Sequence, residues 1–271
     1  MTPALSVPCD VPALRRLWTQ AFGDGDELLD YFFSRLYRPN DVFVVREDRT
    51  VRAMAFQLPM TICQGNRGWR AAYLYAVATD RAARGKGYCT GLLDYAGQVL
   101  AERGCKALLL VPGAPELRAF YRARGYADFS TVDRLEQWTS PGPGKAERIE
   151  APEYLELRER MLAGRAYVSC PVPALAFQGH IAGMSGGGLY RLSLGETEGC
   201  ACAAPAGPGK AVIYELLWPG DREQGASLAA RALGAKWASV RTPGEGEPFS
   251  MVRWLTGAPV LERPYLGIAL D

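Results

Sequence analysis

Val77-Ala-Thr-Asp-Arg-Ala-Ala-Arg-Gly-Lys-Gly-Tyr-Cys-Thr-Gly-Leu-Leu93 is the stretch from which the fold of this 271-residue chain is read. It follows an apolar, aromatic and β-branched run, Tyr73-Leu-Tyr-Ala-Val-Ala-Thr79, that has the composition of a strand. It passes glycines at 85 and 87 and enters a pattern that predicts a helix from Tyr88 to Arg103, ended by Gly104. Glycine lets the backbone turn tightly and approach a ligand with no Cβ in the way. The free N–H groups of a helix start, together with the helix dipole, suit an anion such as a pyrophosphate. Arg84 adds positive charge at the mouth. From the glycines alone two readings stand: a phosphate cradle, and a plain strand-to-helix turn with a solvated Arg–Lys pair. The Walker pattern G-x-x-x-x-G-K-[ST] is absent, and Thr90 breaks the dinucleotide pattern G-x-G-x-x-G.

Outward from this stretch, Lys106–Val111 is a short apolar run that suits a buried central strand. Pro115–Arg124 is helical and stops at Gly125, and strands near Ala127–Phe129 and Val132–Trp138 follow. Upstream, Val11–Ala21 is a helix with Asp10 as N-cap and Pro12 in its first turn, and Asp26–Tyr37 is a second. Strands are expected at Asp41–Val45 and Val51–Ile62, joined by a turn at Glu47–Arg49. Thr139-Ser-Pro-Gly-Pro-Gly-Lys145 breaks both helix and strand near the midpoint, which predicts two domains, 1–140 and 146–271. The second half repeats the order. Helices are expected at Glu153–Ala163, Pro173–Met184 and Glu223–Leu233. Strands are expected at Gly188–Leu194, Gly199–Ala204, Lys210–Trp218, Lys236–Arg241, Phe249–Leu255 and Tyr265–Leu270. The expected class is α/β (α+β): a mixed sheet with flanking helices, in two tandem domains.

Composition narrows the chemistry. The 31 Lys plus Arg against 29 Asp plus Glu give a formal charge of +2, with 48% hydrophobic and 22% charged residues. This is too apolar for a disordered chain and lacks the basic excess of a nucleic-acid binder. No apolar run approaches the roughly 20 residues of a membrane span. The N-terminal MTPALSVPCDVPALRR has neither the basic segment nor the apolar core of a signal peptide, so a cytoplasmic protein is expected. Of the seven cysteines, only Cys200 and Cys202 form a C-x-C, with no second pair to complete a zinc site. His180 is the one histidine, which excludes a Ser-His-Asp triad and a multi-histidine metal centre, and leaves Cys89 without an imidazole partner as a nucleophile.

The glycine loop resembles motif A of the GNAT superfamily of acyl-CoA-dependent N-acetyltransferases, [RQ]-x-x-G-x-[GA]. Here it reads Arg84-Gly-Lys-Gly87-Tyr-Cys89, with Cys89 in the place of the last Gly or Ala. Leu117-Arg-Ala-Phe-Tyr-Arg-Ala-Arg-Gly-Tyr126 resembles motif B, a helix ending F-Y-x-x-x-G-[FY]. The usual Asn early in that motif is replaced by Pro112-Gly-Ala-Pro115. The resemblance implies acetyl-CoA as co-substrate, held by Val77, Ala78 and Thr79 along the strand and by Arg84, Gly85, Lys86, Gly87, Tyr88, Cys89 and Thr90 at the loop. It makes Tyr121 the acid that protonates the departing thiolate, and a backbone N–H near Val77 the polariser of the thioester. The tandem layout is similar to the first two domains of the enhanced-intracellular-survival type acetyltransferases. The second half offers Trp218-Pro-Gly-Asp-Arg222 in place of motif A, where Pro219 removes an amide donor, so it is expected to be a degenerate repeat without a CoA site.

What this implies is an N-acetyltransferase acting on an amine of a small molecule or peptide by direct attack. The alternative is a catalytically silent acyl-CoA-binding or sensing module, and a third reading has a different acyl group. A base for the amine is not evident: the resemblance calls for a Glu on the strand before motif A, where Tyr73 and Tyr75 stand, poor bases at neutral pH. In the three-domain members of the enhanced-intracellular-survival type the terminal carboxylate reaches the first domain's site, so the resemblance makes the carboxylates of Asp271, at the end of Gly267-Ile-Ala-Leu-Asp271, a candidate substitute, against the plain reading of a frayed end. Tyr31, Phe32, Phe33, Trp18, Trp69 and Trp138 fit either an acceptor pocket or the core. No metal, nucleic acid or membrane is implied, and oligomerisation is left open.

Overall fold

The computed structural model describes residues 2–271. In chain order the first half runs β1 (Pro3–Leu5), α1 (Val11–Phe22), α2 (Asp26–Arg35), β2 (Val42–Glu47), β3 (Thr50–Gln64), β4 (Arg67–Thr79), α3 (Tyr88–Glu102), β5 (Ala107–Leu110) and α4 (Leu117–Arg122). Then follow β6 (Ala127–Trp138), β7 (Lys145–Ile149), α5 (Ala151–Leu162), β8 (Tyr167–Ser169), α6 (Val172–Met184), β9 (Gly188–Leu194) and β10 (Thr197–Pro205). The chain closes with β11 (Lys210–Leu217), α7 (Arg222–Ala232), β12 (Trp237–Pro243) and β13 (Glu247–Trp254). The class is mixed α/β, with helices flanking mixed sheets. Among the described residues no helix is long and apolar enough to cross a membrane.

Two compact units emerge. Unit 1 comprises Met1–Thr61, Trp69–Ala127 and Met251–Pro259. Unit 2 comprises Ile62–Gly68, Asp128–Ser250 and Val260–Asp271. In unit 1, β2 pairs antiparallel with β1 and β3, β4 neighbours β3, and β4 runs parallel to β5. The far side of β5 is taken by Met251–Trp254 of β13, antiparallel, in register Met251 to Leu110 and Trp254 to Ala107. In unit 2, β7, β9, β10 and β11 pair antiparallel in turn, β11 runs parallel to β12, and β12 pairs antiparallel with Val132–Trp138 of β6. Each unit thus has antiparallel strands leading to one parallel pair, crossed by a helix: α3 between β4 and β5, α7 between β11 and β12.

The strands at 127–129 and 132–138 are one continuous β6, and its Val132–Trp138 stretch belongs to unit 2. The Thr139–Lys145 linker therefore lies within unit 2, joining β6 to β7. β7 escaped the sequence reading because it is an edge strand, largely exposed and charged, of the kind that discourages further pairing. Tyr265–Leu270 is not a strand: only Tyr265 forms a bridge, to Tyr167, although Leu266–Leu270 are buried. Asp10 does not cap α1 with its side chain. Its carboxylate instead accepts the Val7 N–H at 2.8 Å and pairs with Arg46.

Unit 1 buries Leu92, Leu93, Ala96 and Leu100 of α3 against Phe43, Ala55, Leu74, Leu108 and Met251 of the sheet. On α1 and α2, Trp18 and Phe32 pack edge-on against each other at 4.8 Å and against Phe56 at 5.1 and 5.2 Å. These aromatics are core, and the Trp18 indole donates to Asp24 at 2.7 Å. Unit 2 holds an ion pair with no solvent exposure: Arg158 Nε to Glu215 Oε2 at 2.9 Å, where Tyr154 also donates at 2.9 Å and Arg158 Nη1 reaches the Val168 carbonyl at 2.8 Å.

Two outcomes follow from these arrangements. Breaking a fully buried pair strands a charge, so Arg158→Met alone should lower stability by about 3–5 kcal/mol. Arg158→Met with Glu215→Leu should recover most of that loss in urea unfolding. A chain ended at Ser140 lacks the strand beside β5, and should show no cooperative thermal transition by circular dichroism.

Candidate active site

The site begins where a parallel pair parts. β4 and β5 are in register only from Ala71–Ala107 to Tyr73–Leu109, so Leu74–Thr79 continue without β5 beside them. Within that free half Ala76 takes φ +47°, a left-handed conformation that costs a non-glycine residue about 1–2 kcal/mol. A left-handed residue inside a strand interrupts the regular alternation of N–H and C=O directions along it. Such strain is held where the surrounding structure enforces it.

After Thr79 the chain is folded by Asp80, whose carboxylate accepts the Ala82 N–H at 3.0 Å and Arg52 Nη1 at 2.9 Å. Gly85 and Gly87 then take φ +77° and +80°, with nothing within 4 Å of where a Cβ would stand. They are glycines for conformation, and they leave open space in front of α3. No side chain caps the start of α3, so its first-turn amides remain available to an anion.

These elements enclose a cavity of about 600 Å³ within unit 1. Val77, Ala78 and Thr79 of β4 line one wall, and Arg84, Gly85, Gly87, Tyr88, Cys89 and Thr90 line the loop end. Tyr121 of α4 lines it too, joined by Phe120 and Leu117. Of the residues assigned from sequence to the co-substrate or to the thiolate's acid, only Lys86 lies outside the lining. Its ammonium pairs at 3.2 Å with Glu47, which also accepts the Tyr88 hydroxyl at 3.0 Å and sits 3.4 Å from Arg52. The Tyr88 hydrogen bond, then Lys86, hold the Glu47 carboxyl below its ordinary value. This latch therefore persists at neutral pH and is lost only as pH falls through that depressed value.

Burial, and then the neighbouring Cys89, push the Tyr121 hydroxyl well above the usual phenol range, so it stays protonated at neutral pH. Burial likewise pushes the Cys89 thiol up to about 11, leaving it inert as a nucleophile. Residues not anticipated from sequence also line the cavity: Ala21 and Phe22 at the end of α1, and Arg124 just beyond α4. Arg124 stood inside the motif-B segment; its spacing of three from Tyr121 was the available signal. Asp271 does not line the cavity. Its carboxylate is held by Arg241 Nη1 and Nη2, both at 2.7 Å, and its carbonyl accepts from Gln178 at 3.0 Å, all in unit 2. Tyr31, Phe32, Phe33, Trp18, Trp69 and Trp138 are also outside the lining, and Trp138 is 75% exposed.

Unit 2 has the same parallel pair but fills the gap. β11 and β12 stay in register to Ile213–Val240. Beyond it Arg241 Nε donates to the Tyr214 carbonyl at 2.7 Å and Thr242 Oγ1 to that of Leu216 at 2.9 Å. Trp218 lies against the first turn of α7, where a Cβ on Gly225 would come within 2.6 Å of its ring atoms. Asp221 caps that helix by accepting the Glu223 N–H at 3.0 Å.

Residues 8–128 match the family described as acetyltransferase (GNAT) domain. Solved structures share the fold over both units. A GCN5-related N-acetyltransferase from Anabaena variabilis has TM-score 0.69 at 16% identity, covering 94% of this chain and 73% of its own. Eis1 from Mycobacterium abscessus has TM-score 0.67 at 13% identity, covering 94% and 74%. A probable N-acyltransferase from Enterococcus faecalis has TM-score 0.71 at 14% identity, covering 93% and 72%. No curated protein matches the chain.

The thiols give a direct check on the cavity. At pH 8 iodoacetamide should modify exposed Cys9 and spare Cys89, whose labelling should rise only as pH approaches about 11. Peptide mass spectrometry reads this, and fast labelling of Cys89 at pH 8 would mean an activated thiol.

Proposed function

We propose that this chain, whose residues 8–128 match an acetyltransferase (GNAT) domain, moves the acetyl group of acetyl-CoA to an amine of a small molecule or peptide by direct attack. The observation that carries this reading is the parted β4–β5 pair, which opens beside Tyr121 and an uncapped helix start in one cavity. The residues fit an acyl-CoA: first-turn amides of α3 and the open loop at Gly85 and Gly87 for its phosphates, and the free half of β4 for its amide-bearing arm. Acetyl-CoA supplies an acyl group already activated as a thioester.

In this reading the amides near Val77, beside the reversed Ala76, stabilise the oxyanion that develops on the thioester carbonyl. Tyr121 keeps its proton at neutral pH and gives it to the departing thiolate. The filled gap and capped α7 of unit 2 support a single acyl-CoA site, with unit 2 as a degenerate repeat.

One observation favours the second reading, a silent acyl-CoA-binding module: no Asp, Glu or His lines the cavity to take a proton from an ammonium. Release of CoA thiol with polyamine, aminoglycoside and peptide amines separates the two. Under the first reading, Tyr121→Phe should lower kcat by about 10²–10⁴-fold, with acetyl-CoA affinity by calorimetry changed by less than about threefold. Acetyl-CoA binding without CoA release for any amine would establish the silent module instead.

A further inference from the structure

Arg124 is fixed more firmly than a solvated arginine. Its Nε and Nη2 donate to Thr90 Oγ1 at 2.9 and 2.6 Å, and Nη1 donates to the Phe120 carbonyl at 2.6 Å. The guanidinium stacks on the Phe120 ring, 3.5 Å from its centroid. A guanidinium has five N–H donors, so three bonds leave two on a group that lines the cavity.

Its charge is uncompensated. No Asp or Glu lines the cavity, and among the described residues no ion pair reaches Arg124. Nearby Cys89 and Tyr121 remain neutral at physiological pH. Of the other cations of this region, Lys86 is committed to Glu47 and Arg52 to Glu47 and Asp80, while Arg84, also in the lining, is held among the described residues only by a 3.5 Å bond to the Thr79 carbonyl and lacks the bracing of Arg124. A half-buried guanidinium without a counterion is electrostatically incomplete, and its planar fork matches phosphate oxygens. Thr90, which anchors it, lies in the uncapped first turn of α3, so a positive helix end and an unpaired cation converge.

We infer that Arg124, braced by Thr90 and Phe120, binds a phosphate of the nucleotide end of acyl-CoA and is a pre-positioned cation on which affinity for that cofactor depends. The inference rests on the acyl-CoA site proposed above. It gives Thr90 the task of positioning Arg124.

Calorimetry with CoA, dephospho-CoA and pantetheine, on wild type, Arg124→Gln, Arg124→Lys and Thr90→Val, tests it. Arg124→Gln should weaken CoA binding about tenfold to a hundredfold, flatten its salt dependence and leave pantetheine binding unaltered. Thr90→Val should act in the same direction to a smaller extent, and Arg124→Lys, which keeps charge without the fork, should fall between. A loss shared by CoA and dephospho-CoA assigns Arg124 to the pyrophosphate, and a loss confined to CoA assigns it to the 3′-phosphate; either supports the inference. Should Arg124→Gln fail to fold by its thermal transition, the other two variants give the same reading. Equal CoA affinity in wild type and folded variants, or an equal loss for pantetheine, overturns it. If folded wild type does not bind CoA, the acyl-CoA site itself falls and takes this inference with it.

Discussion

Two parallel strands that part after three residues shape the cavity of this molecule. Pairing of β4 with β5 ends at Tyr73–Leu109, and everything at the site depends on the edge this exposes. A free strand edge inside a domain is ordinarily a liability, since unpaired N–H and C=O groups invite another chain or remain unsatisfied. Here the exposed edge at Val77–Thr79, just after the left-handed Ala76, and the left-handed glycines Gly85 and Gly87 line one cavity, so groups unsatisfied in the protein become groups available to a ligand. The latch around Glu47 then acts on the rim. It joins the β2–β3 turn to the glycine loop through Lys86 and Tyr88, and lends order to a loop that has no side-chain cap of its own.

The second unit shows what the same topology does when the gap is satisfied internally. Its parallel pair diverges past Ile213–Val240, but Arg241 and Thr242 bond the exposed carbonyls of β11. Trp218 occupies the approach to α7, and Asp221 caps that helix. The buried Arg158–Glu215 pair and the Arg241–Asp271 fork hold the interior further. One unit keeps its amides and an arginine unpaired, and the other pairs them. Sites of function tend to depart from local completeness in this way.

Much of the fold was legible because the signals were local. Glycines at 85, 87 and 104 and the apolar run at Lys106–Val111 mark their elements whatever surrounds them. The second unit's helices and most of its strands were equally clear. Edge strand β7 was lost because exposed charged residues carry no alternation to read. The Tyr265–Leu270 tail has the composition of a strand, yet its burial comes from packing and not from a ladder. Asp10 had the right chemistry to cap α1, but Val7 and Arg46 claim its carboxylate.

The sequence by itself determined the mixed α/β class, the strand–loop–helix unit at 77–93, and the identity of nearly every residue that lines the cavity's loop end. Those features rest on local conformational preference and spacing, which the order of residues carries directly. Only the tertiary structure decided that Met251–Trp254 closes the sheet of unit 1, that Lys86 turns to Glu47, that Asp271 is held by Arg241, and that Arg124 stands in the cavity without a counterion. Each of those depends on partners between 30 and 147 positions apart or on which charges come to face one another, Asp271 with Arg241 and Trp254 with Ala107 being the two ends of that range. A linear pattern holds no record of such pairings, because they are settled by packing and by the electrostatic cost of leaving a charge alone.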